Sequence, residues 1–266
     1  MNLKVRKWIK MVAVQIIIWP LALVIFSCSC ADKMIFHPSH ASYATDDGIV
    51  RIPVTAKEQI AAMYRPADPN SFVLLFSHGN EEDIGQNEEF FELANQNGFG
   101  ILAYDYRGYG LSDGRAGEKN TYQDISAAYR YLTETLSIPP QRIIILGQSV
   151  GSGPSVWLAT QKPAAGLILE SPFVSAFRVV TKYKILPFDP YNNLARIKKV
   201  QCPVLIIHGK QDKIVFFWHG LALYEAANEP KMNYWVEDAS HNDVLRVAGE
   251  KYWAKLNEFT KILKSE

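Results

Sequence analysis

The stretch that most constrains the fold runs from Arg142 to Gly153. Four apolar, mostly branched residues, Ile143 to Leu146, lead directly into Gly147-Gln148-Ser149-Val150-Gly151. A short continuous apolar run of this kind predicts a buried strand. The pentapeptide that follows is a G-x-S-x-G match, and a helix-like segment comes after it. Strand, sharp turn and helix are the setting of a nucleophile elbow, in which a serine is held on a strained turn between small neighbours. Gly147 and Gly151 supply that smallness. Val150 N–H and the start of the helix would then lie beside the hydroxyl, where negative charge develops. A glycine-rich strand-to-helix turn with an incidental serine fits the pentapeptide too, so the choice rests on whether the chain also supplies a base and an acid.

Both are present in the order Ser…Asp…His that this turn requires. His241 lies in Asp238-Ala-Ser-His-Asn-Asp243, after the last predicted strand, Met232 to Val236. Asp212 lies in His208-Gly-Lys-Gln-Asp212, after the strand Pro203 to Ile207. All three residues fall at carboxyl ends of predicted strands, where an open α/β sheet collects its ligands. The chemistry assigns Ser149 as nucleophile, His241 as general base and Asp212 as the group that orients the imidazole. Asp238 and Asp243 are closer to His241 in sequence but share its loop. The oxyanion hole is expected from Val150 N–H and Asn80 N–H, with Gly79 allowing close backbone approach. His78 reads as a turn-shaping residue and His208 as a capping or packing residue, and His37, His40 and His219 have no evident partner.

Other segments place these motifs in an α/β sandwich with a mainly parallel sheet. Gly48–Thr55 and Glu58–Arg65 alternate as an antiparallel pair. Phe72–Phe76, Gly100–Tyr104 and Ala165–Leu169 are further strands. Glu81–Asn97, Thr121–Leu136 and Asp243–Lys264 read as helices. Asp105 to Gly114 is a turn-rich loop whose glycines miss the dinucleotide spacing, and no phosphate-binding loop occurs. Strands alternating with helices put helices on both faces of the sheet. Ser171–Lys199 is the only segment free to cover the site, so a cap is small or absent.

Residues 1–31 differ from the rest. Lys4, Arg6, Lys7 and Lys10 are followed by a run, Met11 to Ala31, without a charged residue. Residues 1–31 are therefore expected to be a signal or membrane anchor and 32–266 the catalytic domain. A spanning helix with Pro20 as a kink is one form. A lipoprotein signal with Cys28 as the acylated residue is the other. The basic flank implies a cytoplasmic amino terminus and a domain on the extracytoplasmic side. A net charge of +1 gives no field to recruit nucleic acid. With three cysteines, and Cys28-Ser-Cys30 lacking zinc-ligand spacing, neither a disulfide framework nor a metal site is expected. Cys202 reads as a core residue. No cofactor is implied.

As a set, these motifs resemble the serine α/β-hydrolases. The chain is most similar to the branch that contains the membrane-bound protein depalmitoylases of the α/β-hydrolase-domain type. The resemblance is carried by Lys33-Met-Ile-Phe-His-Pro38, Leu75-Phe-Ser-His-Gly-Asn80, Asp105-Tyr-Arg-Gly-Tyr-Gly110, Gly147 to Gly151, Pro203-Val-Leu-Ile-Ile-His-Gly209 and Ser240-His-Asn-Asp243. It implies the α/β-hydrolase fold, the same triad, and cleavage of ester or thioester bonds in small-molecule or lipidic acyl substrates. The leader departs from that branch, which carries a cysteine cluster there. A serine peptidase of the same fold would need an acidic pair or another site for a peptide amine, and the sequence shows none; a binding module would not need the triad. Phe173, Phe177 and Phe188 of the cap segment and Phe216, Phe217 and Trp218 are candidates for apolar surface along an acyl chain; core packing is the commoner role of such aromatics, and two of them in the crevice would suffice.

Overall fold

The computed structural model describes residues 15, 31–45, 48–183 and 189–264. Cys28, Phe188 and nearly all of the 1–31 leader lie outside the described residues. Among the described residues no helix is long and apolar enough to cross a membrane.

Eight strands build one sheet: β1 (Ile49–Pro53), β2 (Gln59–Arg65), β3 (Val73–Ser77), β4 (Gly100–Tyr104), β5 (Ile143–Gln148), β6 (Gly166–Glu170), β7 (Val204–Gly209) and β8 (Lys231–Val236). Their spatial order is β1-β2-β4-β3-β5-β6-β7-β8. Only β2 runs against the others, pairing antiparallel with both β1 and β4. From β3 the chain moves outward to β4 and then returns to place β5 on the other side of β3. The strand order thus reverses between β3 and β5, and a crevice opens above their carboxyl ends.

The continuous apolar runs follow from burial on both faces. In β5, Ile143 and Ile145 join one core cluster, while Ile144 and Leu146 join the other. The first face is covered by α2 (Glu118–Arg130), α3 (Ser152–Ala159) and α6 (Trp218–Ala226), through Ile125, Val156 and Leu223. The second is covered by α1 (Glu88–Gln96) and α8 (Glu250–Leu263), through Phe91, Trp253 and Phe259. Truncating a buried residue such as Ile145 to alanine costs about 2–5 kcal/mol, because the strand is too tightly enclosed to collapse into the gap.

Element boundaries differ from the sequence expectation where capping residues intervene. Glu81 takes a left-handed φ of 63°, and Asp83 caps a 3-10 turn, so the regular helix starts only at Glu88. The helix expected over Thr121–Leu136 starts earlier, at Glu118, and widens into a π turn over Tyr131–Thr135. The last helix is two: α7 (Val244–Ala248) and α8, separated by Gly249 at φ 54°. The segment over the site is small, as expected, and its described residues hold two short α-helices, α4 (Ala176–Val180) and α5 (Asn193–Arg196). Cys202 is partly buried against the first core cluster.

Candidate active site

Ser149 follows β5 directly and has φ 49°, a left-handed conformation that a side chain adopts only when its surroundings impose it. The glycines around it explain how. A Cβ on Gly147 would lie 2.5 Å from Gly151 O and from Ser155 Oγ, and one on Gly151 would collide with the Ser77 carbonyl at the end of β3. The 3-10 turn Ser149–Gly151 then feeds α3. This is the strand, turn and helix expected from the sequence.

The loops after β7 and β8 are tied together before they deliver side chains. Lys210 N–H donates to Val236 O and Gln211 N–H to Ala239 O, both at 2.9 Å. A Cβ on Gly209 would lie 2.4 Å from Ala239 O, so only glycine lets these loops meet. Asp212 and His241 thereby face each other. His241 Nδ1 lies 2.7 Å from Asp212 Oδ2, and His241 Nε2 lies 2.8 Å from Ser149 Oγ. A carboxylate only accepts, so Nδ1 carries the proton and Nε2 is left to accept from the serine hydroxyl. The three residues separated by 92 positions at the widest form one chain of hydrogen bonds.

Asp212 is held firmly. Its Oδ1 accepts from Ile214 N–H at 2.9 Å and Val215 N–H at 2.8 Å. Burial pushes its carboxyl up, but hydrogen bonds from His208 and His241 outweigh burial and hold it below the usual carboxylate range. It therefore remains ionised at neutral pH, facing an imidazole that gains charge on accepting a proton. Of the other two carboxylates, Asp243 accepts from Ser240 N–H and pairs with Arg246, stabilising the His241 loop, and Asp238 is exposed.

Asn80 and Val150 both line a cavity of about 660 Å³ that also exposes Ser149 and His241. The Asn80 side chain is committed elsewhere. Its Oδ1 accepts from His37 N–H at 3.1 Å and Tyr109 Oη–H at 2.5 Å, and its Nδ2 donates to Ile35 O at 2.7 Å. The loop before it is held by Gly79 N–H donating to Glu82. His78 is buried behind this loop, with Nδ1 2.7 Å from Gly79 O and Nε2 3.4 Å from Asp105 Oδ1. A turn-shaping role is what the sequence suggested for it.

His208, Glu170 and Gln148 are among the residues at the site that were not singled out as functional from sequence. His208 was read as capping or packing; its Nε2 lies 2.8 Å from Val215 O and 3.3 Å from Asp212 Oδ2, so it also braces Asp212. Its signal was the spacing of four between the strand-ending histidine and Asp212. Glu170, at the end of β6, is a buried carboxylate that accepts from Gln148 Nε2 at 3.1 Å and Tyr252 Oη–H at 2.7 Å. Burial raises its pKa. Gln148 lines the cavity, so this network fixes the residue beside the nucleophile. A glutamate ending an apolar strand was the available signal.

The cavity wall bears on two expectations. Phe173 and Phe177 line it, but Phe216, Phe217 and Trp218 do not. The cause is α6, absent from the sequence reading. Its start turns Phe217 edge-on against Trp235 at 5.1 Å and stacks Trp218 on His219 at 3.7 Å. Ile214 and Val215 take the wall instead, with Met34 and Ile35 opposite. The second concerns acids. Glu81 and Glu82, unassigned from sequence, also face this space, with Glu81 bonded to His37 Nδ1 at 3.0 Å. His37 thus has a partner, as does His219, whose Nδ1 accepts from Val174 N–H at 3.2 Å. Among the described residues no cluster of side chains could hold a metal ion.

Comparison with known proteins agrees with this architecture. A family profile described as serine aminopeptidase, S33, matches residues 68–187. The human alpha/beta hydrolase domain-containing protein 17B is 45% identical over 206 residues, spanning 76% of this chain and 70% of that protein. The mouse alpha/beta hydrolase domain-containing protein 17C is 40% identical, over 77% of this chain and 65% of its own length. Among solved structures, the Pyrococcus furiosus esterase Pf2001 superposes with a TM-score of 0.70 at 19% identity, covering 85% of this chain and 98% of the esterase. Est1E from Butyrivibrio proteoclasticus, solved with ferulic acid bound, gives 0.67 at 18%, covering 82% and 100%. At those identities the structures speak to fold, and the sequence relatives to lineage. The chain belongs to the serine α/β-hydrolases and is a hydrolase of the branch that includes the alpha/beta hydrolase domain-containing 17 proteins.

Proposed function

We propose that this hydrolase cleaves carboxylic esters or thioesters through a covalent acyl-enzyme on Ser149. The observation that carries the reading is the Ser149–His241–Asp212 chain of hydrogen bonds, at 2.8 and 2.7 Å, opening onto a cavity with an apolar wall. Ser149 Oγ attacks the carbonyl carbon as its proton passes to His241 Nε2. Asp212, ionised, stabilises the imidazolium. The tetrahedral oxyanion is received by Val150 N–H and Asn80 N–H. The carbon–oxygen or carbon–sulfur bond then breaks, and the leaving alcohol or thiol takes the proton from His241. Water repeats the sequence on the acyl-enzyme and returns the free acid. Residues 1–31 would hold this chemistry at a membrane, with the domain on the extracytoplasmic side, and Cys28 is the candidate acylated residue.

The apolar wall favours acyl chains. Phe173, Phe177, Val179, Val180 and Ile214 line it, and each buried methylene contributes about 0.8 kcal/mol, or roughly fourfold in kcat/KM, until the groove is full. A peptidase reading has its own support in the matched family description and in Glu81 and Glu82, which could receive a peptide amine. A panel of acyl esters and thioesters of graded length, run beside an aminopeptidase substrate, separates the two. Rising kcat/KM with acyl length is expected; the highest value on an acetyl ester or on the peptide substrate would overturn the acyl reading.

A further inference from the structure

Glu170 is a buried titratable group for which the acyl-transfer steps have no use. It ends β6, where the register sets it beside Gln148 on one side and Ile207 on the other. Those two residues immediately precede Ser149 and His208, so Glu170 sits between the elbow and the strand that carries the Asp212 loop. Ser171, next in the chain, takes a left-handed φ of 46° and brings its Oγ within 3.5 Å of His241 O. The end of β6 thus touches the loop of the base as well as the turn of the nucleophile. An apolar residue here would extend the run Leu167 to Leu169 at no electrostatic cost, whereas a carboxylate only 5% exposed must be stabilised by its neighbours.

Polar groups from four elements face it. From β5, Gln148 Nε2 donates to Glu170 Oε1 at 3.1 Å, and from α8, Tyr252 Oη–H donates to Oε2 at 2.7 Å. Both donors are neutral: burial and the Glu170 charge hold the tyrosine pKa well above its ordinary value, so its proton stays available. The loops after β3 and β8 contribute Glu82 and His241. Burial raises the Glu170 pKa and the Glu82 charge adds to this, while the Tyr252 bond, the His241 charge and the Gln148 bond oppose it. His241 is the one cation among these groups, and it is a cation only once it has taken the serine proton. It faces Ser149 and Asp212 in turn.

We propose that Glu170 is a positioning residue for His241: its buried negative charge, fixed by Gln148 and Tyr252, joins that of Asp212 in stabilising the imidazolium that forms as Ser149 attacks. The two carboxylates divide the work. Asp212 bonds to the ring and sets its tautomer. Glu170 has both oxygens committed elsewhere and acts through space, where the low local dielectric lets a charge carry further than in water. The proposal rests on the acyl-enzyme reading of Ser149, but not on whether an ester, a thioester or a peptide is cleaved.

The test follows the second-order rate at which the full chain reacts with a fluorophosphonate probe across acidic to alkaline pH. In that reaction Ser149 Oγ bonds to phosphorus, fluoride leaves, and His241 takes the hydroxyl proton. Glu170→Gln keeps an oxygen for Gln148 and an amide for Tyr252 but removes the charge. Its plateau rate should fall on the order of tenfold. The acid limb of its profile should also move to lower pH, because a base deprived of a neighbouring carboxylate gives up its proton more readily. Tyr252→Phe keeps the charge but removes a donor, which raises the Glu170 pKa further. It should react like Glu170→Gln at acidic pH and approach the native rate at alkaline pH, whereas loss of a mere prop would slow it equally at every pH. Urea midpoints report folding, and should Glu170→Gln fail to fold, Tyr252→Phe decides alone. A native rate in Glu170→Gln, a slower rate with an unmoved acid limb, or a Tyr252→Phe profile parallel to the native one overturns the proposal. A native chain inert to the probe at every pH defeats the acyl-enzyme reading itself, and the proposal with it.

Discussion

At the residue scale the question is which carboxylate serves His241. Sequence distance favours Asp243, two positions away, and geometry favours Asp212. The Asp212 carboxylate reaches Nδ1 at 2.7 Å with its other oxygen fixed by two backbone N–H groups. Asp243 spends its oxygens on Ser240 and Arg246. Asp212→Asn should therefore lower kcat by on the order of 10⁴-fold, since the amide N–H would donate to His241 Nδ1 and hold the imidazole in the wrong tautomer. Asp238→Asn should stay close to wild type; the reverse ranking in ester turnover would refute the assignment. A second residue-scale prediction concerns His219, whose burial lowers its pKa from 6.5 to about 4. Between those values the unfolded chain binds a proton that the folded chain refuses, so stability falls as pH drops through this window. His219→Gln removes that titration. Its urea midpoint should decline less than that of wild type as pH falls from about 6.5 to about 4, and an equal decline would show that other groups dominate.

At the element scale the elbow depends on absent side chains. Gly151 passes so close to the Ser77 carbonyl that any Cβ there must displace β3 or the turn. Gly151→Ala should cost roughly 1–3 kcal/mol in urea denaturation, as overpacked cores do, and should also displace Ser149 from His241. A variant with unchanged midpoint and unchanged turnover would show that the turn yields freely. Elements were legible in the sequence wherever burial on both faces forced a continuous apolar run, as in β5, or where alternation marked the antiparallel β1 and β2. They were illegible where one residue overrides periodicity. Gly249 at φ 54° breaks an otherwise regular amphipathic helix, and Asp83 delays one. Helix α6 was missed because its aromatic start, Phe217 and Trp218, resembles pocket lining when its packing against Trp235 and His219 is unseen. That Ser149, Asp212 and His241 would meet was legible because order along the chain and strand ends determine it. His208 and Glu170 were not, because their roles depend on which buried polar atoms meet across strands, and no local pattern encodes that.

At the scale of the molecule, reversal of strand order between β3 and β5 sets the nucleophile beside the Asn80 loop. The loops after β7 and β8 bring Asp212 and His241 to the same crevice, whose wall is largely apolar. All of this converges on one claim: Ser149 becomes covalently acylated. Labelling the full chain with a fluorophosphonate probe tests it most directly, read by intact mass and by peptide mapping. The account predicts one adduct, on the peptide containing Ser149, that is absent in Ser149→Ala while turnover of an ester falls by on the order of 10⁴-fold or more. Labelling that survives Ser149→Ala, or a native chain that turns over ester without reacting with the probe, would contradict it.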